Sequence, residues 1–215
     1  MNHPLKVVHL VAGNLDGGAA RGAYWLHTGL QKIGVNSHIL TDSELTFGDA
    51  NVHSVTKTKK DKLLKVFREN VDYLYTLPYQ KRSIDLFSTG FWGIDLKKQE
   101  ILKDADIVHL HWINSGFVNI RQLKDLTAPI VWTIRDLWPM TGGCHIAEAL
   151  GCEYYKEQCG YCKQLGSSRK NDLSRKVFNR KKKYFGGNIH PVGISNWMSE
   201  KVKESALLGS NQVHM

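Results

Sequence analysis

Apolar positions along this chain follow two rhythms. LKVVHLVA at 5–12, NSHILTD at 36–42, DIVHLHW at 106–112, PIVWTIRD at 129–136 and IHPVGISNW at 189–197 are short apolar runs, most of them closing on polar side chains. Strands covered on both faces read this way, because neither face has to alternate with solvent. Between them, apolar residues recur three or four apart, the spacing of a helix face. AYWLHTGLQKIGV at 23–35 carries Ala23, Leu26, Leu30 and Ile33 on one stripe and meets a stop signal at Gly34. FVNIRQLKDL at 117–126 suits a helix, and SEKVKESALLG at 199–209 a final amphipathic one. The alternation predicts an α/β fold: a Rossmann-like, mostly parallel sheet with helices on both faces. The 215 residues are read as one domain, 1–215.

In such sheets ligands gather beyond the carboxyl ends of the strands. That rule singles out Asn14, Asp16, Gly17, Gly18 and Arg21 after the first strand, and His111, Trp112 and Asn114 after the strand at 106. It adds Arg135, Asp136 and Trp138 after the strand at 129, and Ser195 and Asn196 after the last. All are expected along one rim. Alternation is taken to set His109 opposite His111, leaving His109 as a packed structural side chain. The loop GNLDGGAARG lets backbone amides approach a ligand without Cβ obstruction, and the amides opening the next helix carry partial positive charge, so a phosphate or diphosphate suits it. Its spacing departs from G-x-G-x-x-G, no GK[ST] follows, and only Asp42 offers an acid near a ribose position; a plain tight turn is the alternative reading.

The net charge of +9 is uneven. One basic run is TKTKKDKLLKVFREN at 56–70; the other, at 167–183, sets eight Lys or Arg against the single acid Asp172. Apolar residues at helical spacing interleave both: Leu63, Val66 or Phe67, Asn70 or Val71 and Leu74 in or just past the first, and Leu173, Val177 and Tyr184 in the second. Basic amphipathic helices suit anionic lipid headgroups, phosphates or nucleic acid, whereas a solvated outer face over a core stripe is the plainer reading. No apolar run reaches the roughly 18 to 20 residues that cross a bilayer, and the first residues lack a secretory pattern. The expected location is the cytoplasm, in part peripheral at the inner face of the membrane.

Every cysteine falls in TGGCHIAEALGCEYYKEQCGYCK: Cys144, Cys152, Cys159 and Cys162, spaced C-x7-C-x6-C-x2-C. A reducing compartment disfavours lasting disulfides, and a C-x2-C pair joined by a second pair closes a tetrahedral zinc site, with His145 as a substitute ligand. The segment 141–166 has few large apolar residues, so metal would supply the order that burial does not. Zinc, disulfide bridges and buried free thiols all stay open here. A thioredoxin-type motif is a poor fit, since this pair follows a polar loop and comes with two more cysteines.

Read together, the glycine loop opening the first helix, DIVHLHW, VWTIRDLWPMTGGCH with its cysteines, and VGISNW resemble the N-terminal domain of family 4 glycosyltransferases of the GT-B fold, nearest the members that build bacterial exopolysaccharide, capsule or lipopolysaccharide. The resemblance implies retaining transfer of a sugar from a nucleotide-sugar donor to a saccharide or lipid-linked saccharide acceptor. It implies an acceptor-side domain with a cysteine-rich insertion at 141–166, and a partner C-terminal domain, absent from this sequence, that holds the nucleotide. Turnover by this chain alone is therefore not expected. Gly17 and Gly18 match the loop near the donor diphosphate; Arg21 either reinforces it or is a surface arginine near a helix start, and Trp138 is a candidate to stack on a sugar, with core or loop packing as the alternative reading. Where the family usually has His-Asp, this chain has Arg135 and Asp136; a guanidinium is no base near neutral pH. That leaves Asp136 and His111 as the catalytic candidates. Two rival classes are a zinc-containing basic nucleic-acid binder, against which the alternating strands and helices speak, and a Rossmann-type oxidoreductase, against which the glycine spacing speaks.

Overall fold

The computed structural model describes residues 4–15, 17–43 and 48–215; Asp16 lies outside them. Six strands, β1 (Lys6–Val11), β2 (Asn36–Thr41), β3 (Val52–Ser54), β4 (Ile107–Leu110), β5 (Ile130–Ile134) and β6 (Ile189–Gly193), form one sheet. Its order is β3-β2-β1-β4-β5-β6, and every pairing is parallel. The fold is thus the expected Rossmann-like α/β architecture. β3, three residues long, was not legible as a strand. The chain reverses its direction of travel across the sheet between β1 and β4, the topological position at whose carboxyl ends sheets of this kind bind ligands.

The helices are α1 (Gly18–Lys32), α2 (Lys59–Thr76), α3 (Leu173–Tyr184) and α4 (Asn196–Lys203). One face of the sheet carries the main core, where Val8, Leu10, Val108, Leu110, Trp132 and Ile134 pack with Phe178 of α3. Each such side chain contributes about 1.5–3 kcal/mol through burial. The other face, under α1, is built differently. Its apolar cluster is small, with Val11, Ala20, Ala23 and Ile39, and α1 turns Ala20, Ala23 and His27 inward. Leu26 and Ile33 of the expected stripe are exposed. The reason is what lies beneath: the sheet offers histidines there, so α1 meets it with small and polar residues.

Other boundaries also moved. Residues 120–125 form a 3-10 helix, not an α-helix, because Ile120 and Leu123, three apart, bury together on its 3.0-residue repeat. The last strand stops at Gly193, where a Cβ would meet Ser199 Oγ at 2.3 Å, and Ser195 caps α4 three residues earlier than expected by accepting the Met198 amide.

The two basic helices part company. On α3, Leu173 and Val177 are buried, so this run is the outer face over a core stripe. α2 begins in a capping box between Thr58 and Asp61. Along it Leu63, Val66, Phe67 and Leu74 are all exposed, Leu63 by 72%. Of the expected stripe only Val71 is buried; the rest is not core.

Candidate functional site at the carboxyl edge of the sheet

The loop after β1 is pinned from below: Asp42 Oδ1 accepts the Gly13 amide at 2.8 Å, and the Thr41 hydroxyl donates to the Gly13 carbonyl at 2.9 Å. Gly13 itself has φ +79°, a left-handed conformation that favours glycine. Gly17 then serves as the N-cap of α1 with no side-chain cap, so the first amides of the helix keep their hydrogen-bonding capacity. Among the described residues nothing lies within 4 Å of where a Cβ would stand on Gly17 or Gly18. Arg21 sits exposed on the first turn.

Arg135, leaving β5, reaches back over this same helix. A Cβ on Gly22 would stand 2.7 Å from Arg135 Nη2, so glycine there admits the guanidinium. Arg135 Nε is buried and has no hydrogen-bond partner. Burial lowers the guanidinium's pKa, from a value high enough that it keeps its charge.

Under α1 lies a cluster that sequence reading missed. His9 of β1 stands in register with His109 of β4, and the rings of His109 and His111 stack at 4.3 Å between centroids. The expectation that His109 faces away from His111 is therefore wrong. Residues two apart on a strand share a face, and alternation, correctly applied, places the pair together. A hydrogen-bonded chain runs Asp49, His27, Ser37, His9, His111, with contacts of 3.3, 2.8, 3.1 and 3.0 Å. Asp49 can only accept, which fixes the order: His27 donates from Nε2, Ser37 donates to His27 Nδ1, His9 donates from Nε2 to Ser37, and His111 donates from Nε2 to His9 Nδ1. His111 Nδ1 is then a bare lone pair, buried and without partner. Desolvation, and secondarily neighbouring positive charge, keeps these rings neutral: His9 is lowered to about 2, His109 to about 4, and His111 well below its ordinary value.

Asp136 is doubly engaged. Its Oδ1 accepts the Trp138 amide at 2.9 Å and its Oδ2 meets His145 Nδ1 at 2.8 Å. His145 Nε2 meets Ser88 Oγ at 3.0 Å. Both nitrogens of His145 are occupied, so it is not the substitute metal ligand it was expected to be. The order Asp, His, Ser matches an acyl-transfer triad, but Ser88 is only 1% exposed, and this chain positions Asp136 instead. Trp138, also 1% exposed, donates to the Ser88 carbonyl at 2.7 Å. Its ring is a packing element and offers no face to a sugar.

Of the residues expected on the rim, Gly17, Gly18, Arg21, Arg135 and Asp136 stand there, with His111 just beneath. Ser195 and Asn196 follow the carboxyl end of β6 on the same edge, where they open α4 as cap and first residue. The four cysteines lie apart from this rim site, around a common void between the 141–166 segment and α3. No known protein-family model matches the chain, and no curated protein sequence matches it.

Proposed function

We propose that the chain is the acceptor-side, N-terminal Rossmann-like domain of a retaining GT-B glycosyltransferase of family 4 type, acting in cell-surface polysaccharide synthesis. The observation that carries this reading is the Arg135 guanidinium lying against Gly22 of α1, the helix that opens at Gly17 and Gly18 with no side-chain cap among the described residues, on the same rim as Asp136. Amides and guanidinium together suit the diphosphate of a nucleotide-sugar, whose leaving oxygens gain negative charge as the sugar departs. Asp136, held in place by His145 and the Trp138 amide, orients an acceptor hydroxyl. His111, with its Nδ1 acceptor buried from solvent, backs this rim from beneath.

The rival dinucleotide reading needs an acid at the end of β2 for the ribose. Asp42, at that place, is 1% exposed and its carboxylate already accepts the Gly13 amide. The exposed apolar stripe of α2, flanked by Lys59, Lys60, Lys62 and Lys65, supports a peripheral contact with anionic lipid, which would bring a lipid-linked acceptor to the domain.

Saturation-transfer NMR tests the assignment. The chain is mixed with uridine, guanosine and adenosine diphosphate sugars, with NAD and with a DNA duplex. Saturation of nucleotide-sugar protons, weakened in R135A, is expected. Preferential binding of NAD, or tight duplex binding with a steep salt slope, would replace the proposal with one of its rivals.

A further inference from the structure

All four cysteines line one small void of about 20 Å³. Its walls include Ala147, Leu150 and Tyr155 but no carboxylate and no imidazole, so sulfur is the metal-binding donor available there. None of the four forms a disulfide. Burial pushes the thiols of Cys144 and Cys159 up to about 12 and that of Cys162 to about 11, so without a cation they are not reactive nucleophiles.

The surroundings are nevertheless those of a thiolate. The Gly142 amide donates to Cys159 Sγ at 3.1 Å. Backbone amides of Ile146 beside Cys144, and of Leu165 and Gln164 beside Cys162, oppose the upward shift that burial gives these thiols. Amides aimed at sulfur are the outer shell of metal-bound cysteine. Beside them lies Lys181, 0% exposed, its Nζ donating to the Trp138 and Thr141 carbonyls and lying 3.7 Å from the Trp138 ring centroid. Among the described residues it pairs with no carboxylate at ion-pair distance. Desolvation holds its pKa well below the ordinary lysine range, opposed by Cys159, Asp136 and Cys144, so it carries a charge only where negative charge develops beside it. Four thiolates around a dication carry a net charge of about −2, which this lysine offsets.

A second cluster competes on distance. The donor atoms of His9, His109 and His111 all lie within 4.8 Å of one another, a convergence the four sulfurs do not match in this structure. Those imidazoles, however, already bond one another, Ser37 and Thr133. Arg135 adds positive charge beside His109 and His111, which repels a dication. The four cysteines, by contrast, line a void that no carboxylate or imidazole shares.

We propose that Cys144, Cys152, Cys159 and Cys162 bind one zinc ion as four thiolates in a closed structural site, with Lys181 balancing its charge. The ion then clamps 141–166 to α3 through Asp172, which accepts the Cys162 amide at 2.8 Å and caps α3 through Arg175. It also fixes the turn that presents His145 to Asp136.

Elemental analysis of the purified chain is expected to give about one zinc per molecule, falling at least tenfold in C162S and unchanged in H9N. Should C162S not fold, cobalt titrated into the chelator-treated wild-type chain is expected to give the thiolate charge-transfer absorption of a tetrahedral sulfur site. K181M, which removes the balancing charge, is expected to weaken zinc binding about 10- to 100-fold in competition with a chelator. Zinc retained by C162S but lost from H9N would move the ion to the histidines. A folded chain that takes up neither zinc nor cobalt would overturn the proposal.

Discussion

Acidification should unfold this protein through the histidines beneath α1, and the size of the effect follows from their burial. His9 is 0% and His109 8% exposed, with pKa values of about 2 and about 4 against an ordinary 6.5. The sign is set by the unfolded state. Above pH 6.5 both states leave the rings neutral; below it the unfolded chain takes protons that the folded chain refuses, so stability falls until the folded pKa is reached. At pH 5.5, one unit below the ordinary value, each ring costs about 1.4 kcal/mol, or about 3 kcal/mol for the pair. His111 is displaced the same way and adds to the loss. Buried Asp42 and Asp72, raised by desolvation, work in the opposite sense, regaining stability as they protonate. The informative quantity is therefore a difference. Urea unfolding of wild type and H109Q at matched metal content, from pH 7 to 5, should show the variant's stability falling less steeply by about one proton, near 1.4 kcal/mol per pH unit between 6 and 5. Parallel curves would refute the claim that His109 is buried neutral.

Further outcomes follow from the rim. G22A should leave stability unchanged or raise it by up to about 1 kcal/mol, since alanine is the better helix former, while displacing Arg135 and weakening nucleotide-sugar binding; binding intact in G22A would detach Arg135 from the site. D49N should release the anchor of the histidine chain, and the ¹⁵N shifts of His111 should lose the signature of an unprotonated Nδ1; identical spectra would contradict the donor order assigned above. L63E/F67E should abolish sedimentation with anionic vesicles at low salt without altering thermal stability, because both side chains are exposed; a drop in melting temperature would mean the stripe is covered in solution.

Much of the fold was legible because it is written in periodicity. Five of six strands and the parallel arrangement follow from short apolar runs between helical stripes, and the rim follows from topology alone. What escaped lies where sequence carries little local signal. The side of α1 that meets the sheet depends on its partner surface, so Ala23 of the expected stripe is buried with Ala20 and His27, while Leu26 and Ile33 are exposed. The histidine chain joins β1, α1, β2 and β4 across a hundred residues, yet the pairing of His109 with His111 was open to simple alternation. Trp138 looked like a sugar platform because it follows a strand; its burial, and the cation of Lys181 on its face, come from α3, distant in sequence. The two basic runs look alike as strings, and only packing separates α3, which covers the core, from α2, which exposes its apolar stripe.

The central claim is that turns after β1, β4 and β5 jointly form half of a crevice for a nucleotide-sugar and its acceptor. Amide-resolved NMR of the ¹⁵N-labelled chain, titrated with the nucleotide-sugar that gives the strongest saturation transfer, tests this most directly. Shifts centred on Gly17, Gly18, Ala19, the Arg135 Nε and Asp136 are predicted, with α4 and β3 unmoved. Shifts confined to other surfaces, or none at saturating ligand, would contradict it.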